Sequence, residues 1–431
     1  MLTIYGKRQR YCDGVSRRSF LKIGALATGL TMADILRAES QQPGTSAKAK
    51  AVINIYLAGG PTHMDTFDLK PKAPVEFRGE FRPIPSSVPG MEICELMPKL
   101  AQQGKRYSIV RSITGMRDEH TSTQSDSGWS TSSLSTIGGR PGLGAVLGKL
   151  QGTVHGSSPT FVALDGFGNP GFLGGIYAPY RPDGPGRANL RLSGMISEER
   201  LNNRAQLLAQ LDGIRREVDG SGMMATMDSY NERAITVITS GELANALDVN
   251  REDPRVIERY GIPQGGRYAS NSRFLLARRL IDAGVRCVTL SWGGWDTHGN
   301  NFQTMRDQLP ALDVGLSALL EDLASRGMLD ETIVMMSGEF GRTPRINNSA
   351  GRDHWPRAAF FFVAGGGMRH GQVIGSTTRL GEQAQDRPVH LQQVFATVYR
   401  QLGVDLETTL QDPNGRPQYL LDEREVIHEL V

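Results

Sequence analysis

Asp296, His298, Glu339 and His354 offer the oxygen and nitrogen donors that a divalent cation takes, and each stands beside a strand-like apolar run. Asp296 and His298 are two residues apart in Gly-Gly-Trp-Asp-Thr-His, a spacing that lets a carboxylate and an imidazole on one loop share an ion. Mixed oxygen and nitrogen ligands suit Zn²⁺, Mn²⁺ or Ca²⁺, and the spacing does not choose among them. A second reading of the same pair has Asp296 capping the helix that follows, with His298 in water. Glu339 comes directly after the run Thr332 to Ser337, where an unpaired carboxylate would be costly. Its partner is either a metal or one of Arg342, Arg345 and Arg352. In the block 351–356, His354 is a further ligand candidate, Asp353 can orient it from behind, and Arg352 has the forked geometry that suits an anionic oxyacid.

Two further clusters carry the same kinds of group. His63 and Asp65 follow the Gly59-Gly60 turn. Residues 116–131 are rich in hydroxyls and include His120, Thr121, Ser122 and Thr123. A hydroxyl at a helix N-terminus beside a metal is a workable nucleophile, and the helix dipole steadies an oxyanion there. The plainer reading of that segment is a solvated Ser/Thr loop. Gly365-Gly366-Gly367 lacks the spacing of a nucleotide loop and reads as a turn.

Groups this far apart in sequence meet only if the intervening elements bring them together. Val52 to Leu57, Arg106 to Ile113, Pro159 to Leu164, Val285 to Trp292, Thr332 to Met336 and Ala358 to Val363 read as strands. Ser197 to Val218, Asn271 to Ala283, Phe302 to Arg326 and His390 to Leu402 have helical spacing, and Gly327 is the expected C-cap of the third. Helix and strand in quick alternation predict an α/β fold, a mostly parallel central sheet with helices on both faces. Loops at the carboxyl ends of parallel strands converge on one crevice, so Asp296, His298 and His354 are expected around a single cavity.

At the N-terminus, Ser16-Arg17-Arg18-Ser19-Phe20-Leu21-Lys22 precedes a weakly apolar run from Ile23 to Leu36, too short and interrupted to span a bilayer comfortably. This is the twin-arginine export pattern. It divides the chain into a signal peptide and linker over 1–40, cleaved near Ala38, and one α/β domain over 48–431. The twin-arginine translocase is then a partner during export, the destination is the periplasm or cell envelope, and the mature protein has no transmembrane span. A surface arginine pair ahead of an ordinary amphipathic helix is the competing reading. The net charge of +3 includes this basic segment, so the rest is near neutral and nothing suggests a nucleic-acid partner. Of three cysteines, Cys12 lies in the signal and Cys287 inside a strand pattern, where a buried free thiol is expected.

Five blocks in order, Ile55 to Asp68, Leu276 to Arg286, Gly293 to Phe302, Gly338 to Pro344 and Gly351 to Pro356, resemble a family of secreted proteins known as domain of unknown function 1501. That family in turn resembles the alkaline phosphatase and sulfatase superfamily. The resemblance implies an alkaline-phosphatase-like fold with a two-metal centre. Its early ligand falls at Asp65 with His63 nearby, its nucleophile in His120 to Thr123, its middle pair at Asp296 and His298, its later acid at Glu339 and its late histidine at His354. Better-studied members have an Asp-His pair where Glu339-Phe340 stands here, so one ligand is missing. Neither Cys94 nor Cys287 lies in the C/S-x-P-x-R context of formylglycine sulfatases, which argues against that type. The expected function is metal-dependent hydrolysis of phosphate or sulfate esters of a small molecule or polysaccharide, with Arg342 or Arg352 neutralising developing charge. The alternative is a non-catalytic envelope protein binding a polysaccharide or a protein partner on the same fold.

Overall fold

The computed structural model describes residues 47–154, 158–183 and 241–431; the twin-arginine segment and the helix expected over Ser197 to Val218 lie outside the described residues. The elements that frame the site are, in chain order, β1 (Ala51–Tyr56), β2 (Tyr107–Thr114), α1 (Thr123–Ser127), α2 (Leu143–Leu150), β3 (Phe161–Ala163), α3 (Ser272–Asp282), β4 (Cys287–Ser291), α4 (Asn301–Ser325) and β5 (Thr332–Ser337). They continue with β6 (Gly341–Arg342), β7 (His354–Trp355), β8 (Ala359–Gly365), β9 (Gln372–Ile374), β10 (Val389–His390) and α5 (Leu391–Gln401).

Strand β1 is apolar on both faces because both are covered. Ile53 and Ile55 pack with Phe274 and Leu280 of α3 and Leu309 and Leu316 of α4. Val52, pointing the other way, packs with Val146 of α2 and Val394 and Phe395 of α5. Period-2 alternation between two apolar layers is what a doubly covered sheet imposes on its central strands, and each fully buried aliphatic side chain there contributes about 1.5–3 kcal/mol.

The sheet order is β9-β2-β8-β5-β1-β4-β3, with β10 also paired to β2. The pairs β1 with β4, β1 with β5, β2 with β9 and β3 with β4 are parallel. Strand β8 alone in this sheet runs antiparallel, between β2 and β5. The mostly parallel sheet with helices on both faces is therefore present. The reversal of β8 places the residues before it at the same edge as the loops after β1, β2, β4 and β5. His354, five residues before β8, reaches the crevice for that reason.

Helix α1 carries a buried carboxyl. Asp126 Oδ2 accepts from the Asn169 N–H (3.0 Å), while Oδ1 is buried with no partner. Burial, partly offset by that hydrogen bond, pushes the carboxyl up to about 7. A carboxyl raised in the folded state keeps its proton where the unfolded chain, with a pKa of about 3.9, has lost it. The stability it confers is full below about pH 4 and is lost as the pH rises toward 7, on the order of 4 kcal/mol across the window. Urea unfolding across that range should show Asp126→Asn gaining on the wild type as the pH rises; parallel curves would contradict the assignment.

Cys94 and Cys287 are free and buried. No helix among the described residues is long and apolar enough to cross a membrane.

Candidate metal centre

The Gly59-Gly60 turn after β1 organises the crevice through its backbone. Both glycines have positive φ (99° and 71°), and a Cβ on Gly59 would overlap the backbone of Trp295 and Asp296. Their N–H groups point at Glu339: Gly59 N donates to Oε1 (2.9 Å) and Gly60 N to Oε2 (3.1 Å). Their carbonyls accept from Arg342, Gly60 O from Nε at 3.0 Å and Gly59 O from Nη2. A turn of two glycines thus aligns the Glu339 carboxylate and the Arg342 guanidinium.

Three imidazoles converge on Asp296. His298 Nε2 lies 3.1 Å and His354 Nε2 3.3 Å from Asp296 Oδ1, and His120 Nε2 lies 3.4 Å from Oδ2. The Nε2 atoms of His298 and His354 are 3.1 Å apart. The ligand atoms of His120, Asp296 and His354 all lie within 4.8 Å of one another. Each ring is held from behind at Nδ1 by its own carboxylate. His298 donates to Asp353 Oδ1 (2.7 Å), His354 to Asp118 Oδ1 (2.7 Å) and His120 to Glu339 Oε1 (3.1 Å). A carboxylate at Nδ1 keeps the proton there and leaves the Nε2 lone pair facing inward. His120, Asp296 and His354 have the mutual spacing of donors to a shared cation, and His298 Nε2 lies beside them, 3.1 Å from both Asp296 Oδ1 and His354 Nε2.

The fourth donor is positioned by charge. Arg342, wholly buried, bonds Asp296 Oδ1 through Nη2 and the Arg352 carbonyl through Nη1 (3.0 Å). Desolvation works against the Asp296 carboxylate, but the Arg342 guanidinium, by hydrogen bond and by charge, outweighs it and holds its pKa below the usual range. The hydrogen bond from His298 does the same for Asp353. The Asp296 side chain stays 47% exposed, so the cluster is open to solvent, as a catalytic rather than a structural metal site is.

Several expectations change with this geometry. Asp65 is enclosed by Arg352, whose Nε donates to Oδ2 (2.7 Å) and Nη2 to Oδ1 (3.2 Å), and by Asn301 Nδ2 (2.9 Å). His63 is buried with Nε2 against Gly381 O (2.9 Å), and burial pushes its pKa down. Among the described residues neither bonds Asp296 or any of the three imidazoles. Arg352 also donates to the carbonyls of Thr343 (3.1 Å), Pro344 and Phe77 (2.8 Å), so it braces loops and is not directed at a ligand. Arg342 is likewise fully engaged. Glu339 pairs with backbone N–H groups and His120 rather than with an arginine or directly in the donor set. Asp353 backs His298, not His354, whose support comes from Asp118.

Asp118 is the residue that sequence reasoning missed; its only signal was its place two residues before His120. Asp296 does not cap α4, whose N-cap is Asn300. Thr121 and Ser122 stand half-buried between His120 and α1, with Thr121 Oγ1 accepting from Thr123 N (3.4 Å).

The sequence profile of the family described as "Protein of unknown function (DUF1501)" matches residues 49–431. No curated protein matches the chain. Among solved structures, the chain is similar to the lipoteichoic acid synthase LtaP from Listeria monocytogenes at 12% identity and a TM-score of 0.37, over 85% of this chain and 75% of that one. It is similar to the PsFucS1 sulfatase from Pseudoalteromonas sp. at 9% identity and a TM-score of 0.36, over 92% and 73%.

Proposed function

We propose that this chain, which belongs to the DUF1501 family of proteins of unknown function, is a metal-dependent hydrolase of phosphate or sulfate esters that the twin-arginine translocase exports to the periplasm or cell envelope. One observation carries the reading: three carboxylate-backed imidazoles turn their Nε2 atoms toward a single aspartate at an open strand-end crevice. Such carboxylate–histidine pairs are the usual outer support of metal-binding histidines. With three nitrogens and one carboxylate, the donor set suits a borderline ion such as Zn²⁺ better than Ca²⁺. Because Asp65 is neutralised by Arg352, the arrangement supports one cation rather than two.

When bound, the ion supplies Lewis-acid polarisation of the ester oxygen. The chain's own residues orient it. Arg342 fixes Asp296, while Glu339, Asp353 and Asp118 fix the three rings. The hydroxyls of Thr121 and Ser122, next along the chain from His120, are the candidates to attack the ester.

Elemental analysis of exported protein should find one equivalent of metal per chain, and the loaded protein should hydrolyse aryl phosphates or aryl sulfates. Absence of metal together with inertness on both panels would overturn the proposal. Asp118→Ala and Asp353→Ala, both at exposed side chains, should each weaken metal affinity about 10- to 100-fold in chelator competition while leaving the fold intact. The second reading, a non-catalytic binding protein, is favoured by the burial of both Arg342 and Arg352, which leaves neither to meet a developing anion. Stoichiometric metal with no turnover of any ester would support it.

A further inference from the structure

An open cleft of about 530 Å³ is lined among others by Met116, Pro356, Arg357 and Gln383. Its position follows from chain geometry. Met116 is two residues from Asp118 and Pro356 two residues from His354, and two residues of chain span at most about 7 Å. The cleft therefore abuts the loops that hold His354. Its volume falls within the range of small-molecule pockets and exceeds what one phosphoryl or sulfuryl group fills.

The charge on this side is unclaimed. Arg342 and Arg352 are both engaged inside the protein, whereas the exposed guanidinium of Arg357 lies 5.3 Å from the Trp355 ring centroid and, among the described residues, forms no ion pair. Trp355 is itself fixed, its Nε1 donating to Glu382 O (2.6 Å). A guanidinium held against an aromatic face by cation–π attraction loses less freedom on binding than a mobile one. Gln383 adds an exposed amide, and the half-buried Pro356 adds apolar surface.

We propose that this cleft receives the alcohol portion of the ester and that Arg357 selects substrates whose alcohol carries a second anionic group, phosphate or sulfate. This rests on the hydrolase reading for the identity of the reacting ester, but the cleft binds through its own residues and needs no turnover to be measured. Calorimetric titration of the metal-loaded protein would compare glucose 1-phosphate with glucose 1,6-bisphosphate, and a singly with a doubly sulfated disaccharide. The doubly charged ligand of at least one pair should bind about tenfold more tightly, one charge-assisted contact's worth, and the pair that shows the preference identifies phosphate or sulfate. Arg357→Gln should abolish that preference without changing affinity for the singly charged ligand, and Arg357→Lys should restore part of it. Repeating the titration on Asp296→Asn separates the two ideas, since the preference should survive there even if hydrolysis fails. Equal affinities within both pairs, no binding of any ligand, or a uniform loss for both members of a pair in Arg357→Gln would each overturn the proposal.

Discussion

Asp296→Asn is expected to remove the bound metal and abolish ester hydrolysis while leaving the fold in place. The carboxylate is the only anionic donor among the inward-facing groups, and all three Nε2 atoms lie within 3.4 Å of its oxygens. An amide keeps the size and can still accept from Arg342, so the metal-free variant should unfold close to metal-free wild type. Saturating metal should stabilise only the wild type, by about 2.7 kcal/mol at a concentration 100 times Kd. Metal content, turnover and thermal melts with and without added ion check this together. A variant that retains one equivalent of metal would show that the cation is not held at Asp296.

The second large effect is on stability. Arg352→Ala should cost about 3–5 kcal/mol, because it leaves the Asp65 carboxylate charged in a site with no access to water. Asp65 and Arg352 are both fully buried, and the guanidinium also ties down three backbone carbonyls. Asp65→Asn should be milder and, since Asp65 is committed to Arg352, should leave metal stoichiometry unchanged. Urea unfolding and metal titration on the same preparations separate the two roles. Loss of metal from Asp65→Asn with stability unchanged would restore Asp65 to the ligand set and refute its assignment as a structural ion pair.

Much of the fold could be read from local pattern. The apolar runs that became β1, β2, β4, β5 and β8, and the leucine stripe that became α4, lie within a few residues of where periodicity puts them. The reason is physical: a strand covered on both faces and a helix covered on one each need a particular repeat of apolar side chains, and that repeat is written along the chain. The donor types were legible on the same ground, since Asp, His and Glu at strand ends are costly to leave unpaired.

What pairs with what was decided only in three dimensions. The direction of β8 has no signature in its own residues, because an all-apolar strand reads alike in either direction, yet that direction brings His354 to Asp296. The division of the acids was equally hidden. Asp65, Asp118, Glu339 and Asp353 are the same kind of group at similar places in sequence, but one neutralises a buried arginine and three hold imidazoles. A carboxylate's task depends on which cation or N–H group arrives within about 3 Å, and those partners come from loops as far apart as Gly59 and Glu339, a relation that only the folded sheet creates.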